Sequence, residues 1–411
     1  MKDPDTAMIR FETAANKAAQ RIQKWPKKNV LLLHHNDADG LTSGAILSCA
    51  LKRTGFSVSR TCLEKPYPAI LKKILSGKGR LIVFADFAGR IASLISELNA
   101  GKNLVLIVDH HPALPSSDPL VINLDTELFG LKGDRDISAS TACFLFATAL
   151  DPSNSDLAWL ALVGAVGDGF GINGRLTGPN RKAAKAAQQQ GTATLKTLDD
   201  TEEWIINRMA VQPPIPAKKL SDILDTLGGV GYYSQGADTG VSLLLEGWSE
   251  TAVNRACELA AFKARVFSEE IHRIEKSDMS RSSRIQWVNV KNRFSPMGVK
   301  MIGLFCQQLR THPFIDPDRY ILGAMDLSAD VPGFGSMGGP FSKLSMRMPP
   351  AMEADVQKGR IPGVDTFFPE ATTDLGGFSD ACHSLAAATV LNRGMVAQLV
   401  EEMERRLRDF F

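Results

Sequence analysis

Short apolar runs that end directly on acidic or histidine residues are the feature that most limits how this chain can fold. Three of them, at residues 30–33, 81–85 and 104–108, are separated by helix-like segments near residues 42 and 91–98. Strands that alternate with helices predict a parallel sheet covered by helices, in which ligands bind beyond the carboxyl ends of the strands. The polar residues after the runs are therefore expected to share one site. They are His34, His35, Asp37 and Asp39 after the first run, Asp86 after the second, and Asp109, His110 and His111 after the third.

Further helices are expected to cover this sheet. Ser43 is a suitable cap for the helix that is expected to begin at Thr42. The Gly-, Asn- and Pro-rich stretch at residues 171–180 predicts a loop. The remaining helical segments are expected at residues 6–25, 138–150 and 156–166, and then up to about residue 227.

The C-terminal part has the pattern of a second α/β unit. A charged helix at residues 249–276 is expected to connect the two parts. Strands are expected at residues 285–290, 320–324 and 344–348, and helices at 301–310 and 386–411. We therefore predict an α/β protein with a parallel-sheet domain and N-terminal helix at residues 1–235, connector helices at 236–280 and a smaller α/β domain at 281–411.

The composition excludes several classes of protein. The 411 residues are 44% hydrophobic and 22% charged, which is typical of a globular chain and not of a disordered one. With a net charge of +2, any site for a polyanion must come from local clusters of basic residues. The six cysteines form no Cys-x-x-Cys pair, so free thiols in a reducing compartment are expected. The sequence from Met1 has no apolar signal-peptide core, and no apolar run approaches the roughly 18 residues that span a bilayer, so a soluble cytoplasmic protein is expected.

The first polar cluster has the spacing of a cation site. His35, Asp37 and Asp39 alternate, so in an extended backbone their side chains point to the same side. Ionisable groups held so close together are tolerated when a cation neutralises them. Gly40 then lets the backbone turn tightly. A single Asp-x-Asp-Gly is most often a turn or a helix cap, so this motif indicates a site only in company.

The other clusters supply that company, because Asp86 and Asp109-His110-His111 end neighbouring strands and Asp168 lies between two glycines. Mixed carboxylate and imidazole ligands suit Mn²⁺, with Mg²⁺, Co²⁺ and Zn²⁺ as alternatives. Two ions about 3.5–4 Å apart, bridged by a carboxylate, would use all six candidate ligands and suit in-line displacement at phosphorus. The six are His35, Asp37, Asp39, Asp86, His110 and Asp168.

In order and approximate spacing, these clusters resemble the four motifs of the DHH phosphoesterase superfamily. Residues 35–40 match the first motif, Asp86 the second, Asp109-His110-His111 the third and Asp168 the fourth, over about residues 28–170. The resemblance implies two metal ions bridged by Asp86, with His35 and Asp37 completing one site, and Asp39, His110 and Asp168 the other. It also implies that His111 faces the substrate phosphate or the attacking water, and that Asp109 orients a histidine.

The C-terminal part resembles, less closely, the substrate-binding domain associated with DHH proteins. That domain carries a Gly-Gly-His-x-x-Ala-Ala-Gly stretch, which His383 and the alanines at 386–388 match, whereas Gly376 and Gly377 lie earlier and Ala388 replaces the last glycine. Such a turn into a helix would present backbone N–H groups to a phosphate; close helix packing is the alternative. Ser345-Met346-Arg347 resembles the Ser-x-Arg strand of the same domain, which implies that Arg347 binds a phosphate, unless it is a surface arginine.

Two further segments, at residues 63–68 and 227–233, resemble archaeal-type RecJ-like members of the superfamily. In the second of them, Tyr232 and Tyr233 either stack on bases or pack within the protein.

The resemblance implies a Mn²⁺-dependent phosphodiesterase that removes nucleotides from single-stranded DNA or RNA or from short oligonucleotides, in the 5′ to 3′ direction. No separate oligonucleotide-binding barrel or strongly basic extension is evident, which favours short substrates. The alternatives are a small-substrate phosphoesterase, such as a nanoRNase that also dephosphorylates adenosine bisphosphate or a cyclic-dinucleotide phosphodiesterase, and a non-catalytic scaffold in a replication complex. A partner in replication or repair, the oligomeric state and the choice between DNA and RNA stay open.

Overall fold

The computed structural model describes residues 4–171, 175–198, 201–208, 214–277, 279–408 and 410. The chain divides into two compact units. Unit 1 comprises Met1–Glu258 and Pro332–Phe334, and unit 2 comprises Leu259–Val331 and Gly335–Phe411. Both units are α/β structures, as the sequence predicts.

Unit 1 is built on a parallel sheet with the strand order β2-β1-β3-β4-β5. Every residue of β3 and β4 is buried, which explains why these strands are continuous apolar runs without alternation. The predicted parallel sheet is therefore confirmed. Its strands are β1 (Asn29–His34), β2 (Ser57–Cys62), β3 (Leu81–Ala85), β4 (Leu104–Val108) and β5 (Val121–Asn123).

Unit 1 also contains α-helices and short 3₁₀ and π-helical turns. The α-helices are α1 (Pro4–Gln23), α2 (Ala38–Arg53), α3 (Pro68–Leu75), α4 (Ala92–Asn99), α5 (Ala139–Leu150), α6 (Ala158–Gly167), α7 (Gly178–Gln189), α8 (Ala217–Asp225) and α9 (Gly236–Glu246). Short 3₁₀ segments lie at Gly89–Ile91, Thr126–Phe129, Pro152–Leu157 and Tyr232–Ser234, and a π-helical turn lies at Thr226–Val230. No helix within the described ranges combines the length and apolar composition that crossing a bilayer requires.

The helix after β1 begins earlier than predicted. α2 starts at Ala38 because the Asp37 side chain caps it, accepting a hydrogen bond from the Gly40 N–H at 2.9 Å. The prediction of a start at Thr42 with Ser43 as the cap is wrong, since both lie inside the helix. Asp39 is consequently in the first helical turn and not on extended backbone.

The described residues between α7 and α8, at 190–198, 201–208 and 214–216, are not helical, so the prediction of helical segments throughout this region is wrong. It contains a small antiparallel sheet of β6 (Ala193–Leu198), β7 (Thr201–Ile206) and β8 (Ile215–Pro216). Thr and Ile residues in these segments favour strands once a partner strand is available. Part of the predicted loop at 171–180, residues 172–174, lies outside the described residues, and α7 begins at Gly178.

Unit 2 is built on a mixed sheet with the strand order β15-β16-β14-β11-β10-β9. β10 and β11 are parallel and the other neighbours are antiparallel. Its strands are β9 (Ser280–Arg281), β10 (Ile285–Lys291), β11 (Tyr320–Asp326), β14 (Phe341–Arg347), β15 (Phe378–His383) and β16 (Ala386–Asn392), with a separate pair of β12 (Asp330–Val331) and β13 (Gly335–Ser336). The helices are α10 (Glu250–Ser277), which crosses the boundary between the units, α11 (Lys300–Leu309), α12 (Pro350–Gln357), α13 (Val364–Asp374) and α14 (Val396–Leu407).

The prediction of a continuous helix at residues 386–411 is wrong. Residues 386–392 form β16, which pairs with β14 from Arg347 opposite Ala386 to Phe341 opposite Asn392. Alanine favours helices, but the Thr-Val-Leu sequence that follows favours strands, and pairing with two neighbouring strands decides the outcome. α14 begins only at Val396.

Candidate metal centre

The polar residues that follow the parallel strands come together at one edge of the unit 1 sheet. β1, β3 and β4 are neighbours, so His35, Asp86 and Asp109 follow strands that end side by side. Backbone hydrogen bonds continue beyond the strands, from the His35 N–H to the Ala85 carbonyl at 3.2 Å and from the Asp86 N–H to the Val108 carbonyl at 2.9 Å. The register of the sheet therefore places these motifs at the same position along the strand direction.

A first group of ligand-type atoms consists of His35, Asp37 and Asp86. His35 Nδ1 lies 3.0 Å from Asp37 Oδ2 and 3.5 Å from Asp86 Oδ2. One imidazole nitrogen and two carboxylate oxygens thus lie close enough together to bind one ion.

A second group consists of Asp39, His110 and Asp168. His110 Nε2 lies 3.6 Å from Asp168 Oδ2 and 4.0 Å from Asp39 Oδ2. The same nitrogen lies 3.6 Å from Asp86 Oδ1. Asp86 therefore presents one carboxylate oxygen to each group, which is the arrangement that a bridging ligand requires.

Asp86 is a buried carboxyl group among other acidic side chains. Its side chain is 2% exposed, and within the described residues its Oδ2 atom has no hydrogen-bond partner. Burial raises the pKa of Asp86 well above its ordinary range, and the charges of Asp37, Asp39, Asp168 and Asp109 raise it further. The backbone of Asp86 has φ +66°, a left-handed conformation that is strained for a residue with a side chain. A buried carboxylate that is surrounded by other carboxylates fits a multivalent cation.

The N-terminus of α5 holds Asp39 in place. Its Oδ2 accepts a hydrogen bond from the Ala139 N–H at 2.8 Å, and its Oδ1 accepts one from the Ser140 N–H at 3.0 Å. These N–H groups belong to the first turn of the helix, where no carbonyl of the same helix can accept from them. They leave the remaining lone pairs of the carboxylate available to an ion. No pattern in the sequence connects Asp39 with residues 100 and 101 positions away.

The ring of His110 is oriented by backbone carbonyls. Its Nδ1 lies 2.8 Å from the carbonyl oxygen of Gly133 and 3.2 Å from that of Ile137. Because carbonyl oxygens only accept, Nδ1 carries a proton and Nε2 is the nitrogen that faces the second group. A side chain at position 133 would overlap with the His110 carbonyl, so only glycine allows this approach.

Protons occupy the second group when no ion is bound. Burial lowers the pKa of His110, but the carboxylates of Asp168, Asp39 and Asp109 outweigh that effect and raise it to about 9. Burial raises the pKa of Asp168 to about 7. A metal ion at this position would therefore compete with protons for the same atoms.

His111 and Asp109 form a pair beside the two groups. The His111 Nδ1–H donates to Asp109 Oδ1 at 2.8 Å, and the His111 side chain is 40% exposed. The Gly89 N–H donates to Asp109 Oδ2 at 2.8 Å, and the His110 N–H donates to Oδ1 at the same distance. Although burial raises the pKa of Asp109, these hydrogen bonds and the nearby histidines lower it below its ordinary range. Asp109 therefore stays ionised and orients His111, whose Nε2 is left for substrate or water.

Sequence reasoning assigned no role to two buried polar residues next to the centre. Burial and the neighbouring Arg60 lower the pKa of His34 to about 3. Burial and the charge of Asp109 raise the pKa of Asp125 to about 9. The sequence places His34 with the other polar residues that follow the first strand, whereas no pattern marks Asp125.

The four predicted substrate-binding residues lie in unit 2 and are not brought together. Arg347 and His383 both pair with Ala386, from opposite sides, and so lie in one row across β14, β16 and β15. Gly376 and Gly377 precede Phe378, which pairs with Val390 at the other end of β15. Because Ala386 begins a strand, the predicted helix start with free N–H groups is absent, and both interpretations of the alanines as helical are wrong.

Arg347 is largely buried and not a surface residue. Its Nη1 donates to Ser345 Oγ at 3.0 Å and to the Met346 carbonyl at 2.8 Å. Within the described residues it makes no ion pair with a carboxylate, and burial lowers the pKa of its guanidinium. His383 is exposed at the end of β15.

The two tyrosines of the 227–233 segment face the protein. Tyr232 is 3% exposed, and its hydroxyl accepts a hydrogen bond from the Glu64 N–H at 3.3 Å. The Tyr233 hydroxyl donates to Glu64 Oε1 at 3.0 Å, and the two rings meet edge to face at 4.9 Å. The interpretation of Tyr232 as a base-stacking residue is therefore wrong, because its ring belongs to the core.

Among known sequences, no family model matches this chain. An uncharacterized protein of Methanocaldococcus jannaschii is 32% identical over 167 residues, which are 37% of this chain and 37% of that protein. The chain therefore spans little more than a third of the curated relative that it matches.

Solved structures share the fold over almost the whole chain. RecJ of Thermus thermophilus in complex with Mn²⁺ has a TM-score of 0.62 at 16% identity, covering 97% of this chain and 55% of that one. An exonuclease RecJ bound to manganese has a TM-score of 0.60 at 17% identity, covering 97% and 95%. The DHH domain of a protein assigned to a family of ribosomal proteins has a TM-score of 0.58 at 14% identity, covering 98% of this chain and 92% of that one.

The same fold occurs in CDC45 of Entamoeba histolytica, with a TM-score of 0.57 at 10% identity and coverage of 98% of this chain and 99% of that one. At these identities the likeness concerns the fold and not the activity. Its agreement with the order of the four motifs and with their convergence at one sheet edge leads to one conclusion. This protein has the fold that these RecJ and DHH-domain structures share.

Proposed function

We propose that this protein is a divalent-metal-dependent phosphoesterase that hydrolyses single-stranded nucleic acid or short oligonucleotides, with Mn²⁺ as its metal and a 5′ to 3′ direction. The observation that carries the proposal is Asp86, a buried carboxylate whose two oxygens face two separate groups of ligand-type atoms. The RecJ neighbours, two of which were solved with manganese, support the choice of metal and reaction.

The residues present fit two ions. His35, Asp37 and Asp86 would hold one, and Asp86 with the second group would hold the other. A mixture of imidazole nitrogens and carboxylate oxygens suits Mn²⁺, whereas Mg²⁺ prefers sites made of oxygen atoms alone. Two such ions supply an activated water and stabilise the negative charge that develops on the phosphoryl oxygens.

The side chains around the two groups would do the rest of the chemistry. The Nδ1–H of His110 is held by the Gly133 carbonyl, which keeps Nε2 available as a ligand. Asp109 fixes the Nδ1–H tautomer of His111, so that Nε2 of the neutral ring can accept a hydrogen bond from water and, once it has taken up that proton, can donate one to a phosphoryl oxygen. In unit 2, Arg347 would bind a phosphate group of the substrate through its guanidinium.

A small phosphate ester or a very short oligonucleotide is the second candidate substrate. The net charge of +2 favours it, because binding a long polyanion requires many lysine and arginine contacts. A non-catalytic scaffold is disfavoured because all six candidate ligands are present and converge, and a scaffold has no need of them.

The test uses the purified protein with Mn²⁺ and 5′-labelled single strands of DNA and RNA, of about 2 to 30 nucleotides. Early release of labelled mononucleotide from long strands is expected for the RecJ-like activity. Cleavage confined to the shortest strands would select the second candidate. Asp86→Asn is the matched control, since it removes charge but little volume, and Mn²⁺ bound per chain is measured in parallel. Wild-type protein that binds no metal and cleaves no substrate would overturn the proposal.

A further inference from the structure

His34 is a fully buried histidine that takes no place in either ligand group, yet both of its ring nitrogens have partners. Its Nδ1 lies 2.8 Å from the carbonyl oxygen of His35, and its Nε2 lies 3.0 Å from Nη1 of Arg60. Arg60 is on β2, next to β1 in the sheet, and its Nη2 lies 3.0 Å from Oδ1 of Asp238 on α9. A chain of polar contacts therefore runs from α9 through β2 to the backbone of His35.

The partners determine which nitrogen of His34 carries the proton. A guanidinium group only donates hydrogen bonds, so Nε2 of His34 must be the acceptor and Nδ1 must carry the hydrogen. The Nδ1–H then donates to the carbonyl of His35. The other tautomer would place two acceptors against each other at the His35 carbonyl and two donors against each other at Arg60, so both partners favour the Nδ1–H form.

Each backbone polar group of His35 is held in this way. Its N–H donates to the Ala85 carbonyl, and its carbonyl accepts from His34 and from the Cys62 thiol at 3.6 Å. The His35 side chain places its Nδ1 atom between Asp37 and Asp86, in the first group. A rotation of the His35 peptide would move that nitrogen away from both carboxylates.

α2 packs directly on the His34 ring. A Cβ atom at Gly44 would lie 2.6 Å from Cγ of His34, so glycine at this position makes room for the imidazole. An ordinary apolar residue at position 34 could fill the same space but could not hold the His35 carbonyl. The observed arrangement therefore contains more than packing.

We propose that Arg60 and His34 are positioning residues that set the orientation of His35 for metal binding. The proposal rests on the metal centre that underlies the proposed function. Arg60 donates to Nε2 and so supports the Nδ1–H tautomer of His34, His34 holds the carbonyl of His35, and the fixed backbone aims the His35 ring at the first group. Asp238 is 62% exposed, so its contact with Arg60 adds little.

The test is Mn²⁺ binding by full-length protein, measured by calorimetry and by the electron paramagnetic resonance signal of unbound Mn²⁺. Four variants are compared with wild type: Arg60→Met, Arg60→Lys, His34→Leu and His34→Asn. The asparagine amide can place an N–H donor where Nδ1 stands, so His34→Asn keeps the contact to His35 that His34→Leu loses. Arg53→Met is the matched control, because Arg53 pairs with Asp156 away from the ligand groups. Melting temperatures with a chelator report the folding of each variant.

Loss of one of two Mn²⁺ sites, or its weakening by about 10- to 100-fold, is expected for Arg60→Met and His34→Leu, as for other residues that orient metal ligands. Arg60→Lys and His34→Asn should recover most of that affinity. If Arg60→Met or His34→Leu fails to fold, the two conservative variants decide, since they should bind both ions while Arg53→Met binds as wild type. Unchanged affinity in folded Arg60→Met and His34→Leu, or an equal loss in Arg53→Met, would overturn the proposal. Wild-type protein without bound Mn²⁺ would instead overturn the metal centre itself.

Discussion

Asp86 in unit 1 and Arg347 in unit 2 are charged groups of opposite sign in different surroundings. In unit 1, Asp86 is surrounded by other carboxylates, and its buried oxygen has no hydrogen-bond donor within the described residues. In unit 2, the buried guanidinium of Arg347 is held by a hydroxyl and a carbonyl, and no carboxylate in the described part of the chain pairs with it. Other arginines of unit 2 do pair with acidic groups, as Arg310 does with Glu353 and Arg293 with Glu270.

The difference agrees with the two roles that we propose for the units. A buried charge without a partner is costly, and a ligand of opposite sign removes that cost. Excess negative charge in unit 1 favours a multivalent cation, and excess positive charge in unit 2 favours an anion such as a phosphate group. A metal-dependent phosphoesterase needs both kinds of site. The predictions below separate the two roles.

The largest effect is expected from Asp86→Asn. The amide keeps the shape of the carboxylate but loses the charge that both ligand groups share, so Mn²⁺ binding should fall below detection. Activity should fall by about 10³-fold or more, the order expected when the main electrostatic stabiliser of a transition state is removed. Calorimetry with Mn²⁺ and an assay of phosphodiester hydrolysis measure the two effects.

The same variant should be more stable than wild type in a chelator, because it removes one of several mutually repelling buried acids. Thermal unfolding of the two proteins without metal measures this difference. A variant that is less stable without metal, or that keeps both ions, would show that Asp86 is not a bridging ligand.

The next largest effect is expected from His111→Gln. The side chain lies beside the ligand groups, so metal binding should be retained while kcat falls by about 10²- to 10⁴-fold, the range for loss of a group that transfers a proton. Steady-state kinetics and metal content of the same preparation measure the two properties. A matched fall in metal content and kcat would make His111 a metal ligand instead.

A smaller effect, confined to substrate binding, is expected from Arg347→Met. Loss of a charged hydrogen bond worth about 1.5–3 kcal/mol should raise KM by about 10- to 100-fold, while metal affinity stays unchanged. Arg360→Met is the control, since Arg360 is exposed and pairs with Asp355 in the same unit. His383→Ala should raise KM less, because His383 is exposed at a strand end. An unchanged KM for Arg347→Met would give the buried guanidinium a purely structural role.

The smallest effect is a pH dependence of the stabilisation by Mn²⁺. The pKa of Asp168 is about 7 in the folded protein and 3.8 in the absence of the fold. Its contribution to folding stability is therefore complete below pH 3.8 and is lost as the pH rises through 7. The pKa of His110 is about 9 in the folded protein and 6.5 in the absence of the fold. Its contribution to folding stability is complete below pH 6.5 and is lost as the pH rises through 9. Stability without metal should therefore fall with rising pH in this window.

Mn²⁺ replaces those protons, so its effect on the melting temperature should increase from about pH 6 to about pH 8.5, as expected when metal binding releases protons. Scanning fluorimetry with and without Mn²⁺ measures the increment. Asp86→Asn is the control and should show almost no increment at any pH. An increment that shrinks as the pH rises would contradict the assignment of protons to the second group.

The site was more predictable than the elements around it. The strand ends carrying His35, Asp86 and Asp109 follow from apolar runs and from the rule that parallel strands end at one edge. The start of α2 at Ala38 could have been read from Asp37, which is a strong cap. The strand at 386–392 was not predicted from local preference, because its alanines favour a helix and pairing with β14 and β15 overrides them.

By itself, the sequence determined the types of ligand atoms, their order along the chain and their positions after buried strands, because these depend on local patterns of apolar and polar residues. The tertiary structure alone decided that the two oxygens of Asp86 face different groups, that α5 holds Asp39 and that the Gly133 carbonyl sets the tautomer of His110. It also decided that Tyr232 belongs to the core and that Arg347 pairs across β14 and β16 with Ala386. The physical reason is that each of these features joins residues far apart in the chain, and their contacts are chosen by packing and strand pairing, which leave no local signal.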